Sequence, residues 1–159
     1  SLYPEGDAIC HNVLVHPPGG LVGGDTLDIS ATVASGAHGL ITTPGATRFY
    51  RSAGELALQR TRLTLRDGAR LEWLPLETIA YDACLADNRL RLELAPTAQA
   101  LGWDVLALGL PAAGDQFDPD RLARHRPAGP TGSDTASLVG RAVDQGGWNG
   151  PALPEADLA

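Results

Sequence analysis

Three stretches of apolar–polar alternation, each running into a turn followed by Ala, constrain this chain more than any other feature. They are Leu27-Asp28-Ile29-Ser30-Ala31-Thr32-Val33, Thr61-Arg62-Leu63-Thr64-Leu65 and Arg89-Leu90-Arg91-Leu92-Glu93-Leu94. Successive side chains of a strand point to opposite faces, so each stretch reads as a strand with one buried face. The turns are Ser35-Gly36-Ala37, Asp67-Gly68-Ala69 and Pro96-Thr97-Ala98, and their Ala residues recur at intervals of 32 and 29 residues. Apolar or small residues stand four and six positions before each Ala: Val33 and Ala31, Leu65 and Leu63, Leu94 and Leu92. A further apolar stretch follows each turn, at Leu40-Ile41, Leu71 to Leu74 and Leu101 to Leu108. Asp-Gly between alternating runs signals a hairpin, and a shared register at this period signals a repetitive sheet. The expected fold is therefore all-β, with stacked β-hairpins forming a β-helix-like solenoid over residues 1–125. Evenly spaced hairpins also occur in β-sandwiches, but the common register of three copies favours the repeat. Leu63, Leu65, Leu71, Trp73, Leu92 and Leu94 form the expected core.

The remainder, residues 126–159, is rich in Gly, Pro and Ala and has no sustained periodicity. Such a composition buries too little apolar surface to offset the entropy of ordering, so an irregular or disordered tail is expected. One short turn of helix is conceivable from Leu138 to Val143.

Charge and composition remove several function classes. The net charge is −7 and all twelve basic residues are Arg. Phosphate binding wants a clustered basic surface, so no nucleic-acid partner is expected. The lack of Lys removes the Walker-type phosphate lysine and every Schiff-base mechanism. No apolar run approaches the roughly 18 residues of a membrane span, and Ser1 to Asp7 do not resemble a signal peptide. A cytoplasmic protein with no membrane partner is expected. Position 1 is not Met, which fits a chain that begins inside a longer protein. Cys10 and Cys84 are too few for a disulfide scaffold or structural zinc site and read as small buried residues.

Four local segments carry possible chemistry. In His16-Pro17-Pro18-Gly19-Gly20-Leu21-Val22-Gly23-Gly24-Asp25 a phosphate cradle is disfavoured, because no Lys-Ser/Thr ending and no G-x-G-x-x-G spacing is present. A tight corner between stacked sheets is favoured. Cys10, His11 and His16 have nickel-, copper- or zinc-binding side chains. On a regular strand, however, only Cys10 and His16 share a face, and those two lie about 20 Å apart. In Thr42-Thr43-Pro44-Gly45-Ala46-Thr47-Arg48-Phe49-Tyr50-Arg51, Thr42 and Thr43 are expected to satisfy backbone groups near the turn. Arg48, Phe49, Tyr50 and Arg51 have the make-up of an interface patch. Finally, Leu101 to Gly109 is apolar on both faces, as for a doubly covered strand, yet Asp104 lies in its middle. A buried carboxylate needs a firm partner or a wet passage. Glu77 is a weaker candidate of the same kind. No nucleophile, base and acid set emerges, so an enzyme is not expected.

Together these motifs resemble the UreD family of urease accessory proteins, called UreH in some bacteria. The resemblance rests on Tyr3-Pro4-Glu5-Gly6 with His11, on His16 through Asp25, and on Ile41 through Ser52. It rests also on Leu71-Glu72-Trp73-Leu74-Pro75 and on Trp103-Asp104 with Leu108-Gly109. It covers roughly residues 1 to 125, and implies a chain shortened at its N-terminus with an atypical tail past Arg124. Leu110 and Asp115 replace the Arg and Glu that the family carries there. The resemblance implies a stack of sheets and a non-enzymatic role in loading nickel into urease. The implied partners are the urease apoprotein, UreF and, through UreF, UreG. It implies no tightly bound cofactor, nickel being the transported ion. Asp25, Thr47 and Asp104 are the polar residues it places along a water-filled nickel path. The alternative from another class is a generic β-helical binding module with no metal role.

Overall fold

The computed structural model describes residues 2–16 and 19–109, together with the backbone of 141–142. Its strands are β1 (Cys10–Val13), β2 (Thr26–Val33), β3 (His38–Thr42), β4 (Thr47–Phe49), β5 (Ala57–Leu65) and β6 (Arg70–Leu74). They continue with β7 (Thr78–Ala80), β8 (Ala86–Leu94), β9 (Gln99–Gly102), β10 (Val105–Leu108) and β11 (Arg141–Ala142). Three sheets result: a first of β1-β3-β6-β9, a second of β4-β7-β10-β11 and a third of β2-β5-β8. Within each sheet the strands are parallel. The chain passes through the first, second and third sheet in turn and then returns, giving a parallel β-solenoid of about three turns. The all-β solenoid expected from the alternation is what forms.

The register explains the repeat. Ala31, Leu63 and Leu92 stand in one column, and Val33, Leu65 and Leu94 in the next. The residues four and six positions before each Ala are thus stacked copies of one another. The corners repeat as well. The amides of Ala37, Ala69 and Ala98 each donate to the carbonyl three residues back, at 3.0, 3.0 and 2.9 Å. The Arg70 amide then donates to the Ala37 carbonyl, and the Gln99 amide to that of Ala69, both at 2.9 Å. Gly36 and Gly68 take φ of 70° and 66°, the left-handed region that a Cβ disfavours.

The turns at Ser35-Gly36, Asp67-Gly68 and Pro96-Thr97 fall where the repeat puts them, but they close no hairpins. Each links a strand of the third sheet to one of the first, and both strands bond to neighbours one circuit away. Alternation reports which face is buried and is silent on which strand takes the edge hydrogen bonds. A solenoid corner uses the same Gly conformation as a hairpin.

Leu63, Leu65, Leu71, Trp73 and Leu92 are buried as expected. Leu94 is only half-buried, since β8 is the last strand of its sheet among the described residues. Leu101 to Gly109 is not one doubly covered strand. It breaks at Trp103-Asp104 between β9 and β10, and Leu101 is 63% exposed. An apolar run does not distinguish a covered strand from two short strands flanking a corner. Arg141 and Ala142, expected within a turn of helix, instead extend the second sheet beside β10. A lone helical turn has little stability, whereas a strand edge offers ready hydrogen bonds. The rest of the tail lies outside the described residues.

The glycine pairs behave as the corner reading expects. A Cβ on Gly20 would stand 2.7 Å from the Arg48 carbonyl oxygen, and one on Gly23 2.9 Å from that of Glu55. The next circuit therefore packs directly on this backbone. Leu21, between them, bridges to Phe49, and the two are the largest members of a buried cluster with Ala57, Ala80 and Cys84.

The buried column predicts a measurable asymmetry. Leu63→Ala should lower stability by about 3 kcal/mol, read as a shift in the urea midpoint. Ser30→Ala, on the outer face of β2, should change it by less than about 0.5 kcal/mol.

Candidate functional site

Inward positions of a solenoid are ordinarily apolar, so the informative places are those where they are not. On β5 the inward residues run Ala57, Gln59, Thr61, Leu63, Leu65, and on β8 Ala86, Asn88, Leu90, Leu92, Leu94. Gln59 and Thr61 are buried, as is Thr78 on β7. These polar side chains face a partly open cavity of about 210 Å³ lined by all three sheets, with Leu14, Leu27, Ile29, Trp73 and Leu90 among its apolar members. That is room for several waters, each wanting two to four polar partners.

The register sets the order of the lining. Leu27, Gln59 and Asn88 form one column on the third sheet, and Ile29, Thr61 and Leu90 the next. Thr47 and Thr78 form a column on the second. At the corner between the first and second sheets the cavity meets His16, Thr43, Pro75 and Asp104 from four successive circuits. A chain of polar contacts runs along the stack: Gln59 Nε2 donates to Asn88 Oδ1 at 3.3 Å, and Asn88 Nδ2 to Asp104 Oδ2 at 3.1 Å. Asp104 thus sits at the break between β9 and β10, turned towards the interior and hydrogen-bonded. A corner makes this possible, because the chain leaves the strand period there and two adjacent residues need not alternate faces. Trp103, its neighbour, lies outside, its indole N–H donating to the Pro75 carbonyl at 2.9 Å. Gly102 allows this last circuit to approach, since a Cβ there would stand 2.9 Å from the Trp73 carbonyl oxygen.

Of the residues singled out from sequence, Thr47 and Asp104 meet in this cavity and Asp25 does not. Asp25 is exposed in a turn, its carboxylate accepting from the Val22 amide at 3.0 Å. Glu77 is exposed as well, and its carbonyl accepts from the Thr47 amide. The Thr43 hydroxyl accepts from the Leu76 amide at 3.0 Å, and that of Thr42 donates to the Leu74 carbonyl at 2.6 Å. Both bonds reach backbone one circuit away. Cys10 and His11 occupy opposite faces of β1, and His16 follows beyond its end. Asn12 Nδ2 lies 3.5 Å from the Cys10 sulfur, and His11 Nε2 lies 3.1 Å from Glu5. Hydrogen bonding to Cys10 holds the Tyr3 phenol above its ordinary value. Among the described residues no three His, Cys, Asp or Glu side chains gather closely enough to hold a metal ion.

The Arg48 to Arg51 segment divides. Phe49 is 1% exposed and belongs to the core, so only Arg48, Tyr50 and Arg51 reach the surface. Tyr50 stacks on Tyr81 of the next circuit at 5.4 Å between centroids, and Arg51 Nη2 meets Asp82 Oδ2 at 3.1 Å. Sequence reasoning missed Gln59, Asn88, Thr61 and Thr78. The signal was present, since Gln59 and Asn88 are polar at inward positions one repeat apart.

The fold is that of a short three-sided parallel β-solenoid with a cavity of mixed polar and apolar lining. A family model described as UreD urease accessory protein matches residues 1–128. The chain belongs to the UreD urease accessory protein family. It is 70% identical over 125 residues to a urease accessory protein UreD of Paracidovorax citrulli, covering 79% of this chain and 45% of that relative. Similar proteins of the same description are found in Polaromonas naphthalenivorans, at 69% over 125 residues (79% and 45%), and Leptothrix cholodnii, at 71% over 113 residues (71% and 41%). The chain therefore spans less than half the length of these curated relatives.

Removal of the amide in the middle of the polar chain tests its structural weight. Asn88→Ala, which removes the amide that Gln59 and Asp104 share, should cost about 1–3 kcal/mol in urea unfolding. Asp25→Ala, at an exposed turn, should cost less than about 1 kcal/mol.

Proposed function

We propose that this chain is the scaffold portion of a non-enzymatic chaperone of urease maturation, and that its interior serves the passage of nickel. The observation that carries the reading is the group of polar side chains in the cavity inside the solenoid of a UreD-family chain, set among apolar ones such as Leu27, Ile29 and Trp73. A solenoid optimised only for stability would fill these inward positions with aliphatic side chains, because an unsatisfied buried polar group costs about 1–3 kcal/mol. Thr47, Thr61, Thr78, Gln59 and Asn88 present hydroxyls and amides, and Asp104 adds one carboxylate. These groups can hydrogen-bond to the waters around a hydrated divalent ion without stripping them. The set lacks the converging thiolates and imidazoles that would retain nickel tightly. Transit, not storage, is the chemistry this lining suits. Asp25, outside the cavity, has a place only at the approach to such a path. The partners proposed on the family resemblance are the urease apoprotein, UreF and, through it, UreG, in the cytoplasm. Arg48, Tyr50 and Arg51 are proposed as contacts to them. No helix among the described residues is long and apolar enough to cross a membrane.

The test separates passage from structure. In the full-length protein, Asp104→Leu should lower urease activation several-fold while the accessory complex still assembles in a pull-down with UreF and urease. Asp104→Asn should do less harm, because an amide still faces water and still meets Asn88. Loss of activation and assembly together would make Asp104 a structural residue and defeat the passage reading.

A further inference from the structure

The outward face of the third sheet carries arginines in a grid. Arg60 stands directly beside Arg89, and Arg62 directly beside Arg91, on strands β5 and β8. Neighbouring strands lie about 4.8 Å apart, and like charges directly opposite destabilise a sheet. Three of the four are offset by carboxylates on the same face. Arg60 Nε and Nη2 grip Asp28 at 2.6 and 2.8 Å, Arg89 Nε meets Asp87 at 2.9 Å, and Arg91 Nε meets Glu93 at 2.9 Å. Arg62 makes no ion pair among the described residues, lying between Ser30 on β2 and Arg91 on β8. Arg66, just past β5, and Arg70, at the start of β6, also make none among the described residues, and all three are exposed. Six of the eight arginines in residues 2–109 therefore belong to this face or to the corner beside it.

We propose that this face docks an acidic, extended segment of a protein partner, whose carboxylates fall between Arg62, Arg66 and Arg91. The proposal stands apart from the nickel reading and does not rest on it. Charge complementarity selects the occupant. A guanidinium fork takes a carboxylate in two parallel hydrogen bonds, and every cation of this chain is of that kind. Binding also relieves the Arg62–Arg91 repulsion that the free protein carries, so the complex gains a term the free face lacks. A nucleic acid suits the face less well. Asp28, Asp87 and Glu93 interrupt the positive grid, and a continuous phosphate chain would meet them, whereas peptide carboxylates at alternate positions can fall between them. Along β5, nine residues span about 30 Å, so an extended segment with acidic side chains at alternate positions matches the rows of the sheet.

The experiment is fluorescence anisotropy of the intact chain with a labelled deca-glutamate peptide, and with a single-stranded oligothymidine of equal charge. At about 50 mM salt the peptide should bind, and at about 500 mM binding should be largely lost. The double variant Arg62→Glu, Arg91→Glu should weaken peptide binding at least about tenfold. Its melting temperature should be no higher than that of the parent, because the like charge across the row is reversed, not removed, and Glu93 loses Arg91. Arg66→Glu lies outside the ladder, and alone should weaken binding by about threefold even if the double variant does not fold. Absence of peptide binding to the parent, unchanged affinity in Arg66→Glu, or tighter binding of the oligothymidine would each overturn the proposal. The last of these would assign the face to nucleic acid.

Discussion

In-register parallel stacking is the constraint on which everything else in this structure depends. Each strand lies about 4.8 Å from the strand one circuit earlier, so each residue sits beside its counterpart in the preceding repeat. The backbone hydrogen bonds between circuits are satisfied only if the circuits keep the same shape. Hence the same corner closure recurs at Ala37, Ala69 and Ala98. Hence also glycine stands where a neighbouring circuit crowds the backbone: Gly20 against Arg48 and Tyr50, Gly102 against Trp73. A Cβ at either place would push two circuits apart, and the disturbance would pass along the whole stack.

Stacking also turns single residue choices into columns. Ala31, Leu63 and Leu92 make a continuous apolar column, and the buried members of this cluster supply much of the stability. The same rule placed Gln59 beside Asn88 and Thr47 beside Thr78, so polarity inside the solenoid is grouped rather than scattered. Grouping matters energetically. An isolated interior amide would be left unpaired, whereas Gln59, Asn88 and Asp104 satisfy one another in sequence around a space that admits water. The outer face shows the cost of the rule, since it sets Arg60 by Arg89 and Arg62 by Arg91, and carboxylates on the same face offset three of these four charges.

Much of the fold was legible in the sequence, because burial and period are local signals. The alternation named the strands of the third sheet, the Ala spacing named the repeat, and the expected core proved correct apart from the half-buried Leu94. Pairing was not legible. Antiparallel hairpins and parallel circuits require the same alternation and the same Gly turns, so the Asp67-Gly68 turn read as a hairpin where it is a corner. The site was legible in part. Thr47 and Asp104 came from family motifs and meet in the cavity, while Asp25 of the neighbouring motif turns to solvent and Phe49 turns into the core. Gln59 and Asn88 belong to no motif and show their role only once the repeats are laid side by side. The arginine grid was hidden by the negative net charge, which sums over the chain and says nothing of where charges gather.

On the proposed function, nickel would pass through the interior of the solenoid, loosely held by oxygen groups near Thr47 and Asp104. The most direct measurement is anomalous diffraction at the nickel edge from crystals of the full-length accessory complex exposed to nickel. Anomalous density inside the cavity, within reach of Asp104 and at water-mediated distance from the threonine hydroxyls, is the predicted result. Density confined to the outer surface, or a site built on Cys10 and His11 with the interior empty, would contradict it.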